Sequence, residues 1–145
     1  MRRVFADSSV LIAAAGSRTG ASRAVVMLAE VGLFRLVVSR QVLDECERNL
    51  RRKLPAALPL FAELLAAVSL EVVPDPDDTV VARYRALIAP KDAPILAAAV
   101  EAAADRLLTL DVKDFTPSVG EATGLVIQSP GEFVAHLRET IDATP

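Results

Sequence analysis

An α/β fold built on a mainly parallel sheet is predicted by three features of this 145-residue sequence. Short apolar runs recur along the chain. The stretches between them place apolar residues at helical spacing. Glycine and proline, 6 and 9 in number, fall between these elements and do not form a linker. Strands that alternate with helices pair in parallel and carry helices on both faces, a three-layer α/β/α sandwich with four to five strands. No internal repeat divides the chain, and its length suits one domain over residues 1–145.

Val4-Phe5-Ala6 is a short apolar run ending in Asp7, as at the end of a buried parallel strand. Val10 to Ala15 reads as a short helix closed at Gly16. Ala24, Val25, Leu28 and Ala29 follow Ser22, a candidate N-cap, and Gly32 ends that helix. Phe34 to Val38 is the second strand. Helical spacing returns at Val42, Leu43, Cys46 and Leu50, and Pro55 and Pro59 break the chain before a helix near 60–68. Leu70 to Val73 is the third strand, bounded by Pro74 and Pro76, and Thr79 to Ile88 is helical. Pro94 to Ala104 is alanine-rich helix, Arg106 to Leu110 the fourth strand and Leu125 to Ile127 a short fifth. Ser129-Pro130-Gly131-Glu132 has the Ser-x-x-Glu spacing of a capping box with Pro at the first helical position, so the last helix starts there.

Composition excludes several classes. A net charge of −3 argues against binding nucleic acid through overall charge, though a local basic strip survives that argument. The dense basic run is Arg48, Arg51, Arg52 and Lys53, whose plain reading is a solvated helix end beside the negative dipole terminus. Cys46 is the single cysteine, which rules out an intramolecular disulfide and a four-cysteine zinc site. Asp7 interrupts the apolar N-terminal segment that a secretion signal would need, and no apolar run approaches the roughly 18 residues of a membrane span. The expected location is cytoplasmic, with no membrane partner.

Acids are common here, 19 in all, so only their positions inform. Asp7 follows the first strand and Asp111 the fourth, which projects both from the carboxyl edge of the sheet, where function gathers in such folds. Asp92 precedes Ile95 and Leu96 by three and four residues, on the buried side of its helix. A carboxylate there is costly unless paired, capped or bound to metal. Glu45 falls roughly 115° from the centre of its helix's apolar arc at about 100° per residue. Glu47 lies nearer that arc on its other side, so periodicity alone would not choose Glu45. Each acid also has a plain structural reading: Asp7 and Asp92 as helix N-caps, Asp111 as a turn aspartate, Glu45 as a solvated helix residue.

Other chemistries lack their residues. His136 is the only histidine, which excludes a histidine-pair ribonuclease within one chain and disfavours a histidine-rich zinc site. There is no G-x-S-x-G elbow, no Walker A sequence and no G-x-G-x-x-G. A dehalogenase-type phosphatase needs a second aspartate two residues after the first, where Ser9 stands. Clustered carboxylates without histidine or thiolate suit hard cations, Mg²⁺ or Mn²⁺.

These segments together resemble the PIN-domain family, in particular the small prokaryotic VapC-like toxins of toxin–antitoxin pairs. Val4 to Ile12, with Asp7-Ser8-Ser9, resembles the family's opening strand and helix. Ser39 to Glu45 resembles its Ser-x-x-x-x-x-Glu helix, and this alignment selects Glu45. Asp92 to Ala99 resembles its Asp-x-x-Ile/Leu-Ala-x-Ala helix, and Ala104 to Asp111, on through Phe115, its closing strand with Thr-x-Asp. Ser129 to Phe133 resembles its Pro-x-Glu-Phe ending. The resemblance spans nearly the whole chain. It implies Asp7, Glu45, Asp92 and Asp111 as catalytic metal ligands, with Ser9 and Thr109 as hydroxyls orienting them and Asp114 as an extra ligand candidate. It departs from the family at Ser9, where many relatives have Asn, and at Lys91, where many carry another acid.

The implied activity is metal-dependent endoribonucleolytic hydrolysis of RNA, with one or two ions and products ending in 5′-phosphate and 3′-hydroxyl. The alternative is a non-catalytic PIN-like module that binds RNA or protein, which loss of one of the four acids would signal; all four are present. Hydrophobic content of 52% and a mean hydropathy of +0.38 are high for a chain this small, so a homodimer is expected, with a second apolar surface for a small antitoxin if one exists.

Overall fold

In the computed structural model, which describes residues 1–143, β1 (Arg3–Ala6) lies at the centre of a five-stranded sheet. Val4, Phe5 and Ala6 have no solvent exposure, because a central parallel strand is covered on both faces. β2 (Arg35–Ser39) and β3 (Glu71–Val73) extend the sheet on one side of β1, and β4 (Arg106–Leu108) and β5 (Val126–Gln128) on the other. Every strand pair is parallel, in the order β3-β2-β1-β4-β5. The strand order therefore reverses around β1, and a crevice opens beyond its carboxyl end.

The helices lie in layers on the two faces of the sheet. α1 (Ser8–Gly16), α2 (Ala21–Glu30), α3 (Arg40–Lys53) and α4 (Leu58–Ala67) pack through α1, and α8 (Pro130–Asp142) packs on α2. α5 (Asp78–Ala82) packs on α6 (Ala93–Glu101), and α6 on β2. α7 (Pro117–Thr123) leads into β5. The core joins the strands to α6, whose Ile95 to Ala99 are all buried. Phe34 and Phe133 meet edge to face with centroids 5.1 Å apart, which fastens α8 to the start of β2. Each such buried side chain contributes roughly 1.5–3 kcal/mol.

Several boundaries differ from the sequence reading for local reasons. Gly20, not Ser22, is the N-cap of α2, and Ser22 is buried inside the helix. The helix expected over Thr79 to Ile88 stops at Ala82, after which Arg83, Tyr84 and Leu87 donate three residues back, so the chain continues as tight turns. α6 ends at Glu101, because Ala103 takes a left-handed φ of 53° and Ala104 N–H donates to Ala99 O, a Schellman closure. β4 stops at Leu108, so Asp111 stands three residues past the strand instead of directly after it. α7 was not expected. Its signals were Thr116-Pro117 at the start and Gly124 at a φ of 79° after the end. The capping box opening α8 is present, with Ser129 and Glu132 each accepting from the other's backbone N–H.

Candidate active site

Asp7 leaves the end of β1 at the N-cap of α1. One carboxylate oxygen accepts from the Ser8 amide at 2.8 Å. The other accepts from the Ser9 hydroxyl at 3.1 Å and from the Thr109 hydroxyl at 2.8 Å. Those hydroxyls are held in turn, because Leu110 N–H donates to Ser9 Oγ and Asp111 N–H to Thr109 Oγ1, each at 3.0 Å. The loop after β4 thus orients the acid after β1. Asp7 is buried, and burial pushes its pKa up, opposed by the hydrogen bonds from Thr109, Ser8 and Ser9. Its helix-capping role and its place in the site coexist.

Glu45 is carried by α3, which starts where Ser39 Oγ accepts from Val42 N–H at 3.3 Å. Its Oε1 accepts from Gln41 Nε2 at 3.1 Å. Glu45 lines a cavity of about 450 Å³ together with Asp7, Asp92 and Asp111. Glu47, which lies nearer the apolar arc, lines a separate hollow with Arg51 and Phe61.

Asp92 occupies the N-cap position of α6, yet its side chain makes no capping hydrogen bond. Oδ2 is buried with no hydrogen-bond partner. Burial, and then the Asp114 carboxyl beside it, push the Asp92 pKa up to about 6, with Lys91 partly opposing. A plain capping role does not account for this residue. Asp111 does act as a turn aspartate, since its Oδ1 accepts from the Lys113 and Asp114 amides, both at 3.2 Å. Its Oδ2 lies 3.9 Å from Lys91 Nζ.

The carboxylates fall into two halves. Asp92, Asp111 and Asp114 each offer an oxygen, all within 4.8 Å of one another. Asp7 and Glu45 share the cavity but stand outside that group, and it is Glu45 whose charge acts on Asp7. All these donors are oxygens, and one is buried without a hydrogen bond. That set suits a hard divalent cation. The Cys46 thiol is no competitor. It is buried, its pKa is pushed up by that burial, and it points to the Ser8 carbonyl at 3.7 Å.

The basic run splits by helix face. Glu45, Arg48, Asn49 and Arg52, at i, i+3, i+4 and i+7, all line the cavity, whereas Arg51 faces the other hollow. Sequence reading treated the run as one solvated end; the i+3/i+4 relation to Glu45 was the signal that separates Arg48 and Arg52 from it.

Residues 3–113 match the family described as PIN domain. The chain belongs to the PIN-domain family. Solved structures share its fold at low identity. VapBC from Salmonella typhimurium bound to DNA superposes with a TM-score of 0.66 at 16% identity, over 90% of this chain and 99% of that one. PAE2754 from Pyrobaculum aerophilum gives 0.64 at 17%, over 92% and 94%. VapC20 from Mycobacterium tuberculosis, described as a Sarcin-Ricin loop cleaving toxin, gives 0.58 at 18%, over 85% and 96%. No curated protein matches the chain by sequence. No helix of this PIN domain among the described residues is long and apolar enough to cross a membrane.

Proposed function

We propose that this PIN domain, acting as one unit over residues 1–145, is a divalent-metal-dependent endoribonuclease and the toxin member of a cytoplasmic toxin–antitoxin pair. The observation that carries the reading is the convergence of Asp7, Glu45, Asp92 and Asp111 on one cavity rimmed by Arg48 and Arg52. Those four acids would hold Mg²⁺ or Mn²⁺, with Asp114 beside them. When bound, such an ion lowers the pKa of water and stabilises charge on phosphoryl oxygens.

The chain's own groups supply the rest. Ser9 and Thr109 hold Asp7 in one orientation. Arg48, Asn49 and Arg52 face RNA phosphates along one side of the cavity. Water oxygen bonds to phosphorus as the P–O3′ bond breaks, leaving 5′-phosphate and 3′-hydroxyl. No histidine is needed: His136 lies 3.2 Å from Arg106 and is not among the residues lining the cavity. The toxin described as cleaving the Sarcin-Ricin loop supports RNA as substrate, and the VapBC complex supports a small antitoxin partner. A homodimer is part of the reading, supported by the high apolar content and by exposed Val31 and Val112.

The test is cleavage of single-stranded RNA by purified protein. Cutting should need Mg²⁺ or Mn²⁺, and Asp7→Asn or Asp111→Asn should slow it at least about a hundredfold. His136→Ala should leave the rate nearly unchanged. Cleavage that persists in chelator, or that needs His136, would overturn the reading.

A further inference from the structure

Three cations, Lys91, Arg48 and Arg52, line the cavity, and among the described residues Lys91 is the one in ion pairs with its carboxylates. It stands in the turn before α6, with its ammonium 3.2 Å from Asp114, 3.6 Å from Asp92 and 3.9 Å from Asp111. These are the three carboxylates whose oxygens gather within 4.8 Å. An exposed lysine paired with one carboxylate contributes little. This one meets three, from two chain segments, and it is the cation nearest the buried Asp92 oxygen that no hydrogen bond satisfies. Asp7 and Glu45, in the other half of the site, make no ion pair among the described residues.

We propose that Lys91 is a resident cation that fills the Asp92–Asp111–Asp114 half of the cluster, so that the chain takes up one divalent ion and not two. This rests on the metal-dependent reading above and sets its stoichiometry. Charge balance points the same way. Five carboxylates (Asp7, Glu45, Asp92, Asp111, Asp114) face three cations (Lys91, Arg48, Arg52), and one divalent ion offsets the remaining two negative charges. A second ion would leave surplus positive charge and would have to displace the ammonium from three carboxylates. The Lys91 side chain is 71% exposed, so it reaches in from the surface and replacing it disturbs no core packing.

The test counts ions without using activity. Chelator-treated protein is titrated with Mn²⁺ near neutral pH and at fixed ionic strength, with bound and free ion measured by electron paramagnetic resonance. The parent should take up one ion per chain and Lys91→Met two. Lys113→Met, which removes a neighbouring lysine that makes no ion pair among the described residues, should stay at one. Equal numbers in the parent and Lys91→Met overturn the proposal, as does a second ion in Lys113→Met, which would make overall charge the cause. A parent that takes up two ions overturns it while leaving metal dependence intact. A parent that takes up none overturns both.

Discussion

The two edges of the sheet handle charge in opposite ways. At the amino edge, Arg3 on β1 makes a bidentate pair with Glu71 at the start of β3, at 2.6 and 2.7 Å. Its backbone N–H donates to Asp105 at 2.7 Å and its Nε to the Ala102 carbonyl at 3.0 Å. Around Arg3 opposite charges meet, although Arg2 Nη1 and Arg106 Nε on the same edge are buried without a hydrogen-bond partner. At the carboxyl edge, four acids line one cavity with Asp114 beside them, one oxygen is buried without a hydrogen bond, and among the described residues Lys91 is the cation paired with any of them. Like charges held together oppose folding. One edge therefore consolidates the fold, while the other keeps a deficit of positive charge that a divalent ion or a substrate can relieve.

After the loss of cleavage expected of Asp7→Asn and Asp111→Asn, the largest effect at the carboxyl edge is on RNA binding. Arg48 and Arg52 line the cavity and Arg51 does not. Arg48→Ala combined with Arg52→Ala should weaken binding to single-stranded RNA at low salt by about tenfold or more. It should also flatten the log Kd against log salt slope by about 0.7 per arginine. Arg51→Ala should leave both almost unchanged. Fluorescence anisotropy in the Asp7→Asn background, where cleavage is suppressed, reads this. Equal losses from Arg51 and Arg52 would mean that the helix end acts only through its overall charge.

Next in size is the energetic strain at Asp92. Its carboxyl titrates near 6 in the folded chain against 3.8 for a free aspartate. Between those values the folded chain binds more protons than the unfolded one, so this group makes stability fall as pH rises through that window. In chelator, Asp92→Asn should raise stability near neutral pH by about 1 kcal/mol after allowance for screening, and remove that part of the pH dependence. Denaturant melts from pH 4 to pH 7 check both. An Asn variant no more stable than the parent at pH 7 would mean that the edge carries no such strain.

The amino edge should respond with the opposite sign. Arg3 holds the Glu71 carboxyl below its ordinary pKa, so the pair's contribution is present above the unfolded value and is lost as pH falls through the folded one. Both side chains are 31% exposed, which limits the coupling to about 0.5–1 kcal/mol in a double-mutant cycle of Arg3→Ala and Glu71→Ala. RNA cleavage by either variant at a temperature where it remains folded should match the parent. A change in rate without a change in stability would join the two edges, contrary to the comparison.

The contrast between the edges also explains what the sequence disclosed. Alternation of strand and helix, the capping box at Ser129 and the acid after β1 are local patterns, and local patterns survive in a single sequence. Which side of α3 faces the cavity was not local. Periodicity alone did not choose Glu45, because the strip of Glu45, Arg48, Asn49 and Arg52 is polar and is covered by the crevice, not by core. Asp114 was an extra ligand candidate only through the family resemblance, because its approach to Asp92 depends on how the loop after β4 folds back toward α6. Lys91 read as a dilution of acidity. Its three contacts exist only once residues 91–92 and 111–114 are brought together.

The smallest effect expected lies at the amino edge, where two helices close and lead into neighbouring strands with different residues in the same conformation. Gly124 follows α7 at a φ of 79°, and Ala103 follows α6 at 53°. A left-handed conformation costs an L-residue roughly 1–2 kcal/mol, because Cβ crowds the backbone carbonyl. Glycine escapes that cost but loses more entropy on folding, which returns part of the gain. Ala103→Gly should therefore stabilise the chain by only about 0.5 kcal/mol, or about 1–2 °C in Tm for a chain of this length. Gly124→Ala should destabilise it by about 1 kcal/mol, although no atom lies within 4 Å of the added Cβ, since the backbone angle alone carries the cost. Both variants keep the Ala102 carbonyl that Arg3 uses, so neither should alter ion uptake or RNA cleavage at the far edge. Calorimetric melts of the two variants against the parent decide the matter. If Ala103→Gly melts below the parent, the methyl group of Ala103 makes a contact worth more than its backbone strain, and strain is not what sets stability at this edge.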